Sequence, residues 1–299
     1  MSEASQILVP NGKTPLRVSG GRLFMRVMFS RWPVTIGSVI VVLLIVAAIF
    51  SPLLAPFDPD KLNLRESLQQ PSSQHLLGTD ELGRDLLSRL IYGSRIAVFV
   101  GIVAVSLSAI VGMFLGLLAG YFGGWVETII MRFIDTLMAL PPLVLMLAVA
   151  VVLGGGLLNV LVAIALGLMP THCRLMCGQV LAAKENDYVM AANVLGANSF
   201  RIMLRHLLPN VFPPILVILT LDLGFAILLE ASLSYLGIGI NPPTATWGAM
   251  INLGQRYLMT NPLLSIAPCL CLALVVIAFN NVGDGLRDAL DPRLRGVLM

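Results

Sequence analysis

Apolar runs close to the length of a bilayer crossing constrain this chain more than any other feature. A helix rises about 1.5 Å per residue and needs about 20 mostly apolar residues to cross the hydrocarbon core. Residues 34–55, VTIGSVIVVLLIVAAIFSPLLA, and residues 96–120, IAVFVGIVAVSLSAIVGMFLGLLAG, reach that length without a charged side chain. The first starts past residue 30 without a small-residue cleavage pattern, so it reads as a retained span rather than a signal peptide. Repeated Gly, Ala and Ser in the second suit close helix packing in lipid. From Thr136 to Cys177 the apolar stretch is too long for one crossing, and Gly154, Gly155, Gly156 and Asn159 divide it into spans at 136–153 and 157–177. Residues 211–238 and 262–282 supply two more, so an all-α membrane protein of six transmembrane helices is expected.

Composition excludes the soluble alternatives. Charged residues are 12% of the chain, half of what a soluble domain carries, and mean hydropathy is +0.90. A net charge of +3 with basic residues spread along the loops excludes a nucleic-acid partner and leaves membrane lipid as the surroundings. Cys173, Cys177, Cys269 and Cys271 have no second ligand pair at zinc spacing and read as small core hydrophobes. His75, His172 and His206 lie in different regions and read as capping or interfacial residues. With no H-E-x-x-H, G-x-S-x-G or G-x-x-x-x-G-K-[ST], the chain is not expected to be an enzyme or to bind a nucleotide, cofactor or metal itself.

With the N-terminus inside, the inside segments hold thirteen Lys and Arg against six outside, which places both termini in the cytoplasm. The first outside loop, 58–95, carries five basic residues mixed with acids. On this topology VMAANVLGANSFRIMLRHLLPN, residues 189–210, faces the cytoplasm. Met190 to Leu195 predicts a short helix ended by Gly196, and Asn198 or Ser199 caps a second, with Phe200, Met203, Leu204, Leu207 and Leu208 at helical spacing. Arg201 and Arg205 fall on its other side, and Pro209 is expected to stop it. Spacing alone leaves two uses open: a helix resting on headgroups, or one inserting into a groove of a cytosolic partner.

Asp222 and Glu230 lie inside the fifth span eight residues apart, on nearly one face. Intramembrane acids are costly and mark functional positions, so Asp222 is expected to line a translocation path and meet a cationic group on the substrate. In GTDELGRDLLSR, Thr79 or Asp80 is expected to cap the helix entering the second span. In INPPTATWGAM, Pro242 and Pro243 exclude a continuous helix and Trp247 suits a membrane interface, together forming a turn at the outer mouth.

The stretch at 189–210 resembles the cytoplasmic loop signature of ABC importer permeases. Ala191, Ala192, Gly196, Leu208 and Pro209 match at the family's spacing, while Met190 and His206 stand where Glu and Ile are usual. HLLGTDELGRDLLSRLIYGSR (75–95), LLEASLSYLGIGINPPTATWGAM (228–250) and AFNNVGDGLRDALDPRLRG (278–296) are similar to segments of the second permease of oligopeptide and dipeptide importers. The resemblance covers residues 20–296 and implies a type I ABC importer permease fold. The implied organisation is a cytoplasmic segment 1–33, a first transmembrane helix 34–57, an external loop 58–95, a five-helix core 96–290 with the coupling loop 183–209, and a cytoplasmic tail 291–299. It implies docking on an ATPase through Ala191, Ala192, Gly196, Arg201, Leu204, Arg205, Leu208 and Pro209, and a structural or gating role for Glu230.

What the resemblance implies for function is one permease subunit of a binding-protein-dependent importer in the bacterial inner membrane. Its implied partners are a second homologous permease, two ABC ATPase subunits that hold ATP and magnesium, and an external solute-binding protein. Peptide is the expected solute, ahead of nickel or glutathione. A proton-driven transporter using Asp222 and Glu230 is the weaker alternative, because the chain has no detectable inverted repeat.

Overall fold

The computed structural model describes residue 25, residues 27–29 and residues 31–290. Residues 1–24, 26 and 30 of the expected segment 1–33, and the whole expected tail 291–299, lie outside the described residues. Among the described residues the fold is helical, with a single isolated β-bridge between Thr79 and Asp85 and no strand. The helices of eight or more residues are α1 (Trp32–Ile49), α2 (Leu86–Phe122), α3 (Gly124–Met138), α4 (Pro142–Leu153), α5 (Leu157–Lys184), α6 (Asp187–Val194), α7 (Leu208–Tyr235), α8 (Trp247–Gly254) and α9 (Leu263–Leu290).

Among the described residues five helical segments are long and apolar enough to cross a membrane: α1, α2, α5, the continuous Ser199–Tyr235 and α9. The expected third span at 136–153 takes a different form. It is broken at residues 139–141, and α3 and α4 meet at 88°, so a sixth crossing exists only if this bent pair is counted as one. Pro141 and Pro142 explain the break, since a proline ring excludes helical backbone at the residue before it and lacks an N–H. The α3 helix was not read from the sequence at all; Trp125, Ile129 and Phe133 line its exposed side, and Asp135 pairs with Arg174 of α5.

α2 and α5 make the most intimate helix pair. Gly112, Gly116 and Gly120 recur every four residues on α2 and face Met169, Cys173 and Cys177, which recur every four on α5. A Cβ at Gly112 would lie 2.7 Å from the Met169 carbonyl oxygen and one at Gly120 2.9 Å from that of Cys177, so backbone packs on backbone. Lipid offers no hydrophobic drive for association, and close packing of this kind supplies it. Of the four cysteines, Cys173 and Cys177 are buried here, whereas Cys269 is exposed and Cys271 half-buried, so only the first pair are core residues. The bundle's central core joins Val100 and Ala104 of α2, Met146 and Ala150 of α4, Ile164 of α5 and Ala226 and Leu233 of α7.

Residues 55–85 hold almost no regular structure and are fixed by buried charge. Asp80 accepts from Leu82 N (2.9 Å), Arg84 N (3.0 Å) and Arg84 Nε (2.7 Å). The cap of α2 is Asp85 rather than Thr79 or Asp80: its Oδ2 accepts from Ser88 N at 2.8 Å and from Ser88 Oγ at 2.7 Å. Its Oδ1 accepts from His75 Nδ1 at 2.9 Å, so His75 is a buried partner of the cap. Arg89 donates through Nη1 to the Pro59 carbonyl (2.8 Å) and to Asp60 (3.2 Å). The five Arg and Lys of residues 58–95 thus include two, Arg84 and Arg89, consumed internally.

Candidate functional site

The segment between α5 and α7 is built by two caps. After α6, Gly196 adopts φ +79°, its N–H donates to the Asn193 carbonyl, and Ala197 N–H donates to that of Ala192, both at 3.0 Å. This is the paired hydrogen-bond pattern of a left-handed helix end, which glycine enters without steric cost. Asn198 then accepts from Arg201 N at 2.8 Å and starts the next helix. Both caps agree with the sequence reading.

Pro209 does not stop that helix. Residues Ile202–Leu207 form a π-helical stretch and Pro209 enters the first turn of α7, so the chain stays helical from Ser199 to Tyr235. A proline is tolerated in a first turn because its missing N–H would have no partner there, and the wider π turn shifts the register to place it so.

The apolar face read as one stripe is divided. Val189, Ala192, Ile202, Met203 and Leu207 are buried against Leu117, Met176, Val180 and Ile215, which seats the segment on the bundle. Ala192 and Leu207 therefore serve packing. Pointing away are Met190 (50% exposed), Val194 (87%), Leu195 (87%) and Phe200 (67%), flanked by exposed Ala191, Gly196, Arg201 and Arg205. Val194 and Leu195 were missed as candidates, although their place just before the helix-ending glycine put them at the segment's tip. Leu204 and half-buried Leu208 line a groove with Ile110, Met113 and Phe114 of α2 and Phe212. Pro209 is exposed beside them.

The two intramembrane acids do not converge. Glu230, 2% exposed, accepts from Ser234 Oγ at 2.7 Å, and Ser234 Oγ in turn accepts from Ile240 N at 3.4 Å, which fixes the turn after α7. Asp222 accepts from His172 Nε2 at 2.7 Å, and Ser108 Oγ lies 2.8 Å from His172 Nδ1. His172 is 0% exposed, so it is neither a cap nor interfacial, and it occupies Asp222 on the inside of the bundle.

At the other end, Pro242 and Pro243 are exposed, and the Pro243 carbonyl oxygen accepts from Arg89 Nη1 at 3.4 Å. Trp247 is 3% exposed and packs with Leu86, Leu90, Met250 and Leu264. It is a core residue that anchors the turn, not an interfacial ring. Loop 66–81 closes over this end: Gln70 Nε2 donates to the Thr260 carbonyl (2.9 Å) and Tyr257 Oη to Glu81 (3.0 Å). Among the described residues no group of His, Cys, Asp and Glu could hold a metal ion.

The sequence and the helical fold of this chain are similar to those of known proteins. The family described as binding-protein-dependent transport system inner membrane component matches residues 112–296, and the N-terminal TM domain of oligopeptide transport permease C matches residues 19–71. The chain is 39% identical over 297 residues to the probable D,D-dipeptide transport system permease protein DdpC of Escherichia coli K12, covering 99% of this chain and 98% of the relative. It is 42% identical to the glutathione transport system permease protein GsiD of Pectobacterium atrosepticum, covering 89% of each. It is 40% identical to the dipeptide transport system permease protein DppC of Alkalihalophilus pseudofirmus, covering 87% of this chain and 86% of that one. A chain of the MetNI methionine ABC transporter, solved in inward-facing conformations, shares the fold with TM-score 0.52 at 16% identity, covering 69% of this chain and 98% of that chain. The chain is a multi-pass inner-membrane permease subunit and belongs to the family of binding-protein-dependent transport system inner membrane components.

Proposed function

We propose that this chain forms half of the translocation path of an ATP-driven importer of short peptides, pairing with a second, similar permease. Two ATPase subunits carry the ATP and magnesium, a solute-binding protein delivers the peptide from outside, and this chain performs no chemistry. The observation that carries the reading is the segment Asp187–Leu207, seated on the bundle by Ile202, Met203 and Leu207 while Val194, Leu195 and Phe200 stand in the open. An exposed apolar tip on a rigid base is what a helix-in-groove contact requires. For the solute, the support is that the three relatives bear the names of D,D-dipeptide, glutathione and dipeptide systems.

Both termini and the tip face the cytoplasm in this reading, and residues 58–85 face outward, in keeping with the Lys and Arg distribution. Single cysteines at Leu195 and at Met259, which is 98% exposed, test it: an impermeant thiol reagent applied to whole cells reaches only the second. The function is tested by uptake of labelled dipeptide in vesicles holding the assembled complex and binding protein. Uptake follows internal ATP and survives collapse of the proton gradient; uptake that followed the gradient instead would sink the reading.

A further inference from the structure

His172 Nε2 and Asp222 Oδ2 meet at 2.7 Å, and Ser108 Oγ completes the chain on Nδ1 at 2.8 Å. Asp222 as a carboxylate has only lone pairs to offer, so Nε2 carries the proton and donates; Nδ1 then has a free lone pair that accepts from the Ser108 hydroxyl. Every group of the chain is satisfied by another member. Ser108 is 1% exposed, so no substrate carbonyl reaches its oxygen, and the series is not a hydrolytic triad despite its composition.

Its position in the fold is what gives it a role. His172 is on α5, Asp222 on α7 and Ser108 on α2. Fifteen residues separate His172 from Asp187, where α6 begins, and fifteen separate Leu207 from Asp222. At about 1.5 Å per residue the helix from His172 to the end of α5 at Lys184 is about 18 Å long and that from Leu207 to Asp222 about 22 Å, so the two arms leave the coupling segment and are tied together at similar distances from it. Beside the tie, α2 approaches α5 backbone to backbone, with a Cβ at Gly112 only 2.9 Å from the His172 Cβ.

We infer that Ser108, His172 and Asp222 form a polar pin that closes the α5–coupling segment–α7 hairpin and seats it on α2, so that displacement of the segment moves the hairpin as one rigid piece. Resting on the importer reading above, the pin makes His172 and Ser108 positioning residues for transport. Splaying the arms would leave the buried imidazole and hydroxyl, and the half-buried carboxylate, without their partners, which is costly and discrete. Without the pin, the arms can part at their base and absorb the stroke of the motor. Rigid-body transmission requires an element with two packed states and nothing soft between them.

The test uses the whole importer with its ATPases in lipid, and reads dipeptide transported per ATP hydrolysed. His172→Phe and Asp222→Leu are expected to keep hydrolysis but lower transport per ATP about tenfold, the size of an ordinary coupling between sites. Asp222→Asn, whose amide oxygen still accepts from Nε2, is expected to restore most of the ratio. The double variant His172→Phe/Asp222→Leu exchanges the pair for apolar contact, so it recovers assembly and thermal stability while the ratio stays low. A wild-type ratio in the double variant overturns the pin and leaves the pair a packing role only. Should either single variant fail to assemble, the double variant, Asp222→Asn and Ser108→Ala carry the same comparison. A wild-type complex that neither hydrolyses ATP nor transports would instead count against the importer reading, leaving the pin to be judged by whether His172→Phe loosens α5 against α7 in a spin-label distance measurement.

Discussion

The indole N–H of Trp247 donates to the backbone carbonyl oxygen of Leu90 at 3.0 Å, locking the turn after α7 to the first turns of α2. The ring is buried among Leu86, Leu90, Met250 and Leu264, whereas Trp125 on α3 is 82% exposed. Trp247→Ala is expected to cost about 3–5 kcal/mol, the usual range for removing a buried aromatic. Trp125→Ala is expected to change stability by less than about 0.5 kcal/mol. Thermal unfolding in detergent distinguishes them, and equal losses would contradict the burial of Trp247.

Asp85 holds the α2 cap and His75 together through separate oxygens. Asp85→Ala removes the cap and strands a buried imidazole, for an expected loss of about 3 kcal/mol. Asp85→Asn keeps an oxygen for Ser88 N and is expected to lose less than half of that. Far-ultraviolet circular dichroism against denaturant measures both.

Gly116 and Gly178 lie on the same helix pair in opposite surroundings. A Cβ at Gly116 would press on the Cys173 carbonyl and come within 2.7 Å of the Met176 Cβ, while at Gly178 nothing lies within 4 Å. Gly116→Ala is expected to destabilise by about 1–3 kcal/mol through overpacking. Gly178→Ala is expected to stabilise by about 0.5–1 kcal/mol, because alanine loses less backbone freedom in a helix. Melting temperatures that moved in the same direction would refute the packing account.

Leu195 and Leu207 sit in opposite surroundings within one segment. Leu195 is 87% exposed and Leu207 0%. Leu195→Asp is expected to leave the melting temperature unchanged and to weaken ATPase co-purification at least about tenfold, a loss of about 1.4 kcal/mol or more. Leu207→Asp buries an unpaired charge and is expected to prevent stable folding. An unchanged complex with Leu195→Asp would remove the tip from the contact.

Much of this architecture is written locally. The apolar runs announce themselves by length, and the helix end at Gly196 and the start at Asn198 follow from backbone freedom and a short side-chain acceptor, both properties of a few adjacent residues. The break before α4 was also legible, in Pro141–Pro142, but the glycines at 154–156 drew the boundary instead. Pro209 misled for the opposite reason: whether a proline ends a helix depends on the register it enters, and a π turn supplied one that tolerates it.

Composition and spacing alone determined that the chain lives in lipid, where most of its long apolar helices run, and where the hairpin between α5 and α7 turns, because chain length against bilayer thickness and local backbone sterics decide those matters. Only the tertiary structure decided what the polar residues do. Asp222 needed His172, fifty residues away, Trp247 needed Leu90, and the apolar stripe at 189–208 divided into seat and tip only when α2 and α5 occupied one side of it. Partners of that kind are set by helix packing, and no periodicity in one helix carries information about the face of another.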